Sequence, residues 1–296
     1  MHRFLGNDRT SRVATALPIS IALISTVFAF AARGEPVRVL VVGDSLSTTG
    51  DRYISGDRKG KSFAEQLEID LGDGYEFINV ACPGTTAIAW SLSNPGALCP
   101  PHPWDTFPNG ILRDRALSQL PVDIATVLLG TNDAVRRQEY GYPSAETYGE
   151  TLDEIVGALL EGGAGKVVLM TPPGIDNPDA HRRMRAYRDQ ILARCGSSDR
   201  LVCGPDFFSL LDLDTDFATG DDPLRPGQDP SQHNIHPNAH GHARMAQALG
   251  TTLRQVAETR GFSDGLVSMA ALLALALVVV WVAKKPGRPS SRTPGT

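Results

Sequence analysis

Four short blocks of this chain hold residue types suited to acyl-transfer chemistry: Gly43-Asp44-Ser45-Leu46, Asn79 to Gly84, Gly130-Thr131-Asn132-Asp133 and His236-Pro237-Asn238. A serine hydroxyl is a weak nucleophile until a neighbouring base takes its proton, and His236 is of the right type to do so for Ser45. An oxyanion forming on an attacked carbonyl needs donors aimed at it; the Asn132 side chain and the backbone N–H of Gly84, where the main chain can approach a ligand closely, are suited to that work. Each block also has a bland reading. Gly-Asp-Ser is ordinary turn composition, Pro83-Gly84 is a common type II turn, and Asn132 or Asp133 can simply cap a helix. His233, His236, His240 and His242 crowd into ten residues and call for comparison with a metal site. His236 and His240 are four apart, as on a zinc-binding helix face, but no Glu stands between them as His-Glu-x-x-His requires.

Those blocks need elements to position them. Apolar β-rich runs alternate with amphipathic helical ones, which predicts an α/β protein with a parallel sheet. Strands are expected at Val37 to Val42, Glu76 to Val80, Ile124 to Leu129, Lys166 to Met170 and Leu201 to Cys203; helices at Ser62 to Leu71, Ala145 to Leu160, His181 to Ala193 and Ala239 to Thr259. The near-continuous apolar run Val37 to Val42 suits a sheet covered on both faces. Five strands with helices between them make one three-layer domain, and no internal repeat is visible. The first three blocks then fall at the carboxyl ends of successive strands, where open α/β sheets bind ligands. Pro237 favours a helix start, leaving His236 on the loop before it. Two long connections, Ser91 to Asn109 and Phe217 to His233, are candidate walls of a substrate site. Trp104 and Phe107 in the first are substrate-loop candidates, with packing of the loop onto the domain as the equal alternative.

In order and spacing the four blocks, with Gly241 after the last, resemble those of the SGNH/GDSL hydrolases over most of the chain between its apolar ends. The resemblance implies a flavodoxin-like three-layer α/β/α sandwich with a five-stranded parallel sheet. It implies Ser45 as nucleophile, His236 as base, and an oxyanion hole made by the Ser45 N–H, Gly84 and Asn132, without metal or organic cofactor. The expected activity is that of a serine ester hydrolase, a carboxylesterase that removes O-acyl or O-acetyl groups from small-molecule, lipid or glycan esters of a cell envelope. Two departures stand out. Ala81 occupies a position where glycine is common, and His233 replaces the Asp usual three residues before the catalytic His. Asp229 is the candidate to orient His236; a backbone carbonyl holding the ring in a Ser-His dyad is the alternative. The rival readings are an acyltransferase using the same site, a metal-dependent hydrolase built on the histidines, and a non-catalytic membrane-anchored glycan-binding module with Trp104 as a stacking platform.

At 42% hydrophobic and 21% charged, the composition is that of a globular protein. Residues 1–33 hold an apolar run after Arg3, Arg9 and Arg12, with Ala29-Phe30-Ala31 as a small-x-small cleavage pattern. A secretory signal peptide is the first reading and an uncleaved signal anchor the alternative. The hydrolase domain is expected over 34–262, a transmembrane helix over 263–284 and a short basic cytoplasmic tail over 285–296. Leu266 to Ala283 carries no charge and is followed by Lys284, Lys285 and Arg288, which the positive-inside rule keeps in the cytoplasm, so the catalytic domain faces outward. Between Gly34 and Gly265, 32 Asp and Glu stand against 20 Lys and Arg, a net charge near −12 that argues against nucleic acid or an anionic lipid surface as partner. Cys82, Cys99, Cys195 and Cys203 all lie in this exterior part, where disulfides persist. Of three possible pairings the short-loop one is favoured, Cys82 with Cys99 and Cys195 with Cys203.

Overall fold

Strand β1 (Val37–Gly43) reads Val-Arg-Val-Leu-Val-Val-Gly, and every side chain from Val39 onward is buried. A computed structural model describes residues 35–49, 61–94, 99, 107–136, 141–217 and 235–259. The sheet with its helices belongs to the unit that begins at Val37. Four more strands, β2 (Tyr75–Asn79), β3 (Val122–Leu128), β4 (Ala164–Thr171) and β5 (Leu201–Asp206), join β1 in the order 2-1-3-4-5. All pairings are parallel; Val39 lies opposite Phe77 on one side and Ile124 on the other.

Alternation along the strands sends side chains into two cores. Val39 and Val41 pack with Phe63 and Leu67 of α1 (Phe63–Leu71) and with Met245, Leu249 and Leu253 of α6, the helix over 239–259. Leu40 and Val42 face the opposite core, which holds Tyr148, Leu152 and Ile155 of α3 (Ala145–Glu161) and Met184, Tyr187 and Ile191 of α4 (Pro178–Arg194). The result is the five-stranded parallel α/β fold expected from the sequence.

Helix α1 starts at a capping box in which the Ser62 and Glu65 side chains serve each other's backbone N–H groups. Helix α4 begins at Pro178, three residues before the expected His181. Asn177 caps it by accepting the Ala180 N–H, and the ring of Pro178 presets the backbone angle of the first turn. Two short helices, α2 (Thr131–Val135) and α5 (Phe207–Leu210), have no counterpart among the expected elements, because segments of that length show no helical apolar period. The disulfides join Cys82 to Cys99 and Cys195 to Cys203, the short-loop pairing. The expected signal segment 1–33, the expected membrane helix 263–284, the tail 285–296, Trp104, Asp229 and His233 lie outside the described residues. Among the described residues, no helix is long and apolar enough to cross a membrane.

Candidate active site

Strand order reverses between β1 and β3, and that switch point opens a crevice beyond their carboxyl ends. Ser45 sits there, in a tight turn fastened by Asp44, whose Oδ1 accepts the Leu46 N–H at 2.9 Å. The Ser45 hydroxyl lies 2.8 Å from Nε2 of His236, a residue 191 positions later in the chain. For Nε2 to accept the hydroxyl proton, the imidazole must carry its own proton on Nδ1.

The loop bearing His236 is pinned through the residues that follow it. Pro237 bridges to Phe217, and Asn238 donates from Nδ2 to the carbonyls of Thr215 (3.0 Å) and Phe217 (3.1 Å). Asn238 Oδ1 accepts the Gly241 N–H at 3.0 Å, capping α6. A Cβ on Gly241 would fall 2.4 Å from the Asp216 carbonyl oxygen, so only glycine lets the helix approach this closely. The spacing from His236 to Gly241 therefore fixes where the imidazole stands.

Asn132 follows β3 on α2, after Gly130 turns the chain with φ +117°. Such a backbone angle favours glycine, and a Cβ there would also lie 2.8 Å from the Tyr148 hydroxyl. Asn132 Nδ2 donates to Asp44 Oδ2 (3.1 Å) and to the Thr85 carbonyl (3.0 Å), so the blocks after β1, β2 and β3 meet at one amide. Thr85 is held in turn, its hydroxyl donating to the Cys82 carbonyl (2.7 Å) and accepting the Trp90 indole N–H (2.8 Å).

Ser45, Asn132 and His236 line one cavity of about 310 Å³ together with Arg136, Tyr142, Arg183 and apolar neighbours. Gly84 is not among the lining residues; it lies against the Arg136 guanidinium. Phe107 packs against the core under the Arg115 guanidinium, 5.9 Å from its ring, and does not line this cavity.

The GDSL-like lipase/acylhydrolase family model matches residues 41–244, more than half of the chain and all four blocks. The chain belongs to that family. As a GDSL-like acylhydrolase it is a hydrolase acting on ester bonds. Two solved structures share its fold: an aryl esterase of M. smegmatis (18% identity, TM-score 0.50, covering 74% of this chain and 99% of that one) and a mutant of an acetyl-xylooligosaccharide esterase from Geobacillus stearothermophilus (19% identity, TM-score 0.51, 75% and 95%). No curated protein sequence matches the chain.

Three histidines of this acylhydrolase, His236, His240 and His242, do three different things. His236 meets Ser45, while His242 is buried, accepts the Phe63 N–H on Nδ1 at 3.1 Å and stacks on the Phe63 ring. His240 Nδ1 lies 2.7 Å from Asp216, a buried carboxylate that also binds Arg244. Among the described residues no three metal-ligating side chains gather.

Sequence reasoning passes over two carboxylates, Asp44 and Asp133, because Asp beside Ser or Asn reads as a turn or cap former. Both are fully buried, and that burial raises each pKa from 3.8 to about 7. For Asp44, the charge of Asp133 adds to the rise, while the Leu46 N–H, the Asn132 amide and Arg136 oppose it. For Asp133, N–H bonds from Ala87 and Ile88 oppose it. Between about pH 4 and 7 the folded protein keeps protons that the unfolded chain has released. Their contribution therefore favours folding at the acid end and is lost as pH rises through about 7. Asp133→Asn cannot ionise. Its melting temperature should gain on that of the unsubstituted protein between about pH 5 and about pH 8. A constant difference across that window contradicts the raised pKa.

Proposed function

We propose that this chain is a membrane-anchored serine ester hydrolase of the extracytoplasmic side, with Ser45 as nucleophile and His236 as base. Ser45 Oγ attacks the ester carbonyl while His236 Nε2 takes its proton. The N–H groups of Ser45 and Gly84 and the Asn132 amide hold the oxyanion. His236 then protonates the departing alcohol, leaving an acyl-serine. Water attacks that ester with His236 again as base, and the acid leaves as Ser45 recovers its proton.

The observation that carries this reading is the 2.8 Å contact between the Ser45 hydroxyl and His236 at the sheet's switch point, beside Asn132. Asp229 is proposed to orient the His236 ring. If it does, Asp229→Asn lowers turnover by up to about 10⁴-fold, as loss of an orienting carboxylate can. Unchanged turnover hands that role to a backbone carbonyl.

The outward topology is supported by the uncharged run Leu266 to Ala283 ahead of Lys284 and Lys285, and by two disulfides in the domain. The substrates proposed are O-acyl esters, acetyl above all, of envelope glycans or lipids. The test is reaction of the full-length protein with a fluorophosphonate probe and with short- and long-chain p-nitrophenyl esters. Labelling that is absent, or that persists in Ser45→Ala, refutes the assignment.

A further inference from the structure

We propose that the ester cleaved at this site carries a negative charge, a carboxylate or phosphate, bound by Arg136 and Arg183. This rests on the ester hydrolase reading above and names its substrate class.

Both arginines line the cavity that holds Ser45 and His236. Arg183 is fixed by neutral groups: its Nε donates to the Ala134 carbonyl at 2.7 Å, and its guanidinium carbon stands 3.6 Å from the centre of the Tyr142 ring. Arg136 lies over Gly84, where a Cβ would come within 3.1 Å of its terminal nitrogens. Among the described residues neither guanidinium forms an ion pair, and no Asp or Glu lines the cavity.

Arg182 meets Asp179, Arg188 meets Asp206, Arg194 meets Asp153 and Arg244 meets Asp216, while Arg185, which has no ion pair among the described residues, is exposed and lies outside this cavity. In a domain whose acidic residues outnumber its basic ones by 12, carboxylates are plentiful, yet none of the described ones is placed on these two cations inside the cavity. The carboxylate that Arg136 does feel, Asp44, is buried with its oxygens committed to the Leu46 N–H and the Asn132 amide. Two guanidiniums that line the cavity with Ser45 and have no ion-pair contact among the described residues offer planar donors that match the oxygens of a carboxylate or phosphate. Arg136 is exposed and Arg183 half-buried, so a neutral ester would leave their charge to solvent, whereas an anionic one gains charge-assisted hydrogen bonds.

Two matched ester pairs separate the position of the charge. 4-Acetoxybenzoate against 4-acetoxybenzamide places it on the alcohol side. p-Nitrophenyl hemisuccinate against p-nitrophenyl butyrate places it on the acyl side. With the full-length protein, and each rate normalised to alkaline hydrolysis, kcat/KM for at least one anionic ester should exceed that of its neutral partner by roughly 10- to 100-fold, the worth of charge-assisted hydrogen bonds. The preference should shrink as salt is raised. Arg136→Gln and Arg183→Gln should each lower the ratio, the double variant should bring it near one, and Arg183→Lys should keep part of it. The ratio is internal to each preparation, so loss of folded protein cancels. If the unsubstituted protein hydrolyses the neutral esters and takes up fluorophosphonate at Ser45 but prefers neither anionic ester, this inference falls and the hydrolase reading stands. If it hydrolyses none of the four and Ser45 is not labelled, both fall.

Discussion

Replacing Ser45 by Ala is expected to lower ester turnover by about 10⁴- to 10⁶-fold, with His236→Ala close behind. The hydroxyl and the imidazole, 2.8 Å apart, act as one device: without the base the hydroxyl keeps its proton, and without the hydroxyl the base has nothing to activate. The two losses should therefore fail to add, and the double variant should be no slower than the worse single one. Rates of short-chain p-nitrophenyl ester hydrolysis, with folding checked by thermal melts, provide the measurement. A Ser45→Ala protein with a large share of normal turnover would mean that another group attacks the carbonyl.

Asn132→Ala is expected to lower kcat by roughly 100- to 1000-fold with little change in KM, as loss of one oxyanion donor does elsewhere. The resting geometry sharpens this prediction. Both N–H bonds of the amide are engaged, one with Asp44 Oδ2 and one with the Thr85 carbonyl, so the amide must share or release one of them as charge builds on the substrate. Such a donor is worth more to the charged transition state than to the neutral ester, and so the loss should fall on kcat. The same substitution strips a donor from two buried acceptors and should cost about 1–3 kcal/mol of stability. Turnover should therefore be expressed per active site titrated with fluorophosphonate. Undiminished kcat on that basis would remove Asn132 from the oxyanion site.

Much of this is legible in the chain itself, because local periodicity and turn chemistry are set by residues close together in sequence. Val37 to Val42 suits a strand covered on both faces, and β1 has that burial from Val39 onward. The order of blocks after the first three strands points to one crevice, and short loops select the disulfide pairing. Apolar periodicity alone starts helix α4 three residues late, because the Asn177-Pro178 start supplies a cap and a fixed backbone angle that outrank periodicity.

Other features have no local signature. Asp216 gathers His240, Arg244 and the Asp212 N–H, and its carbonyl accepts the Asn238 N–H beside His236, yet no motif in the sequence marks it out. Arg183 on α4 and Arg136 just after α2 would ordinarily be taken for solvated surface, and nothing in their spacing says that they line one cavity with Ser45. By itself the sequence determined the five strands and the four long helices, which blocks carry the candidate reactive groups, and where the uncharged terminal runs lie. Only the tertiary structure decided that one amide joins three blocks and that two guanidiniums share the cavity with Ser45. Periodicity is written between near neighbours, whereas those contacts arise when folding closes loops of tens to hundreds of residues.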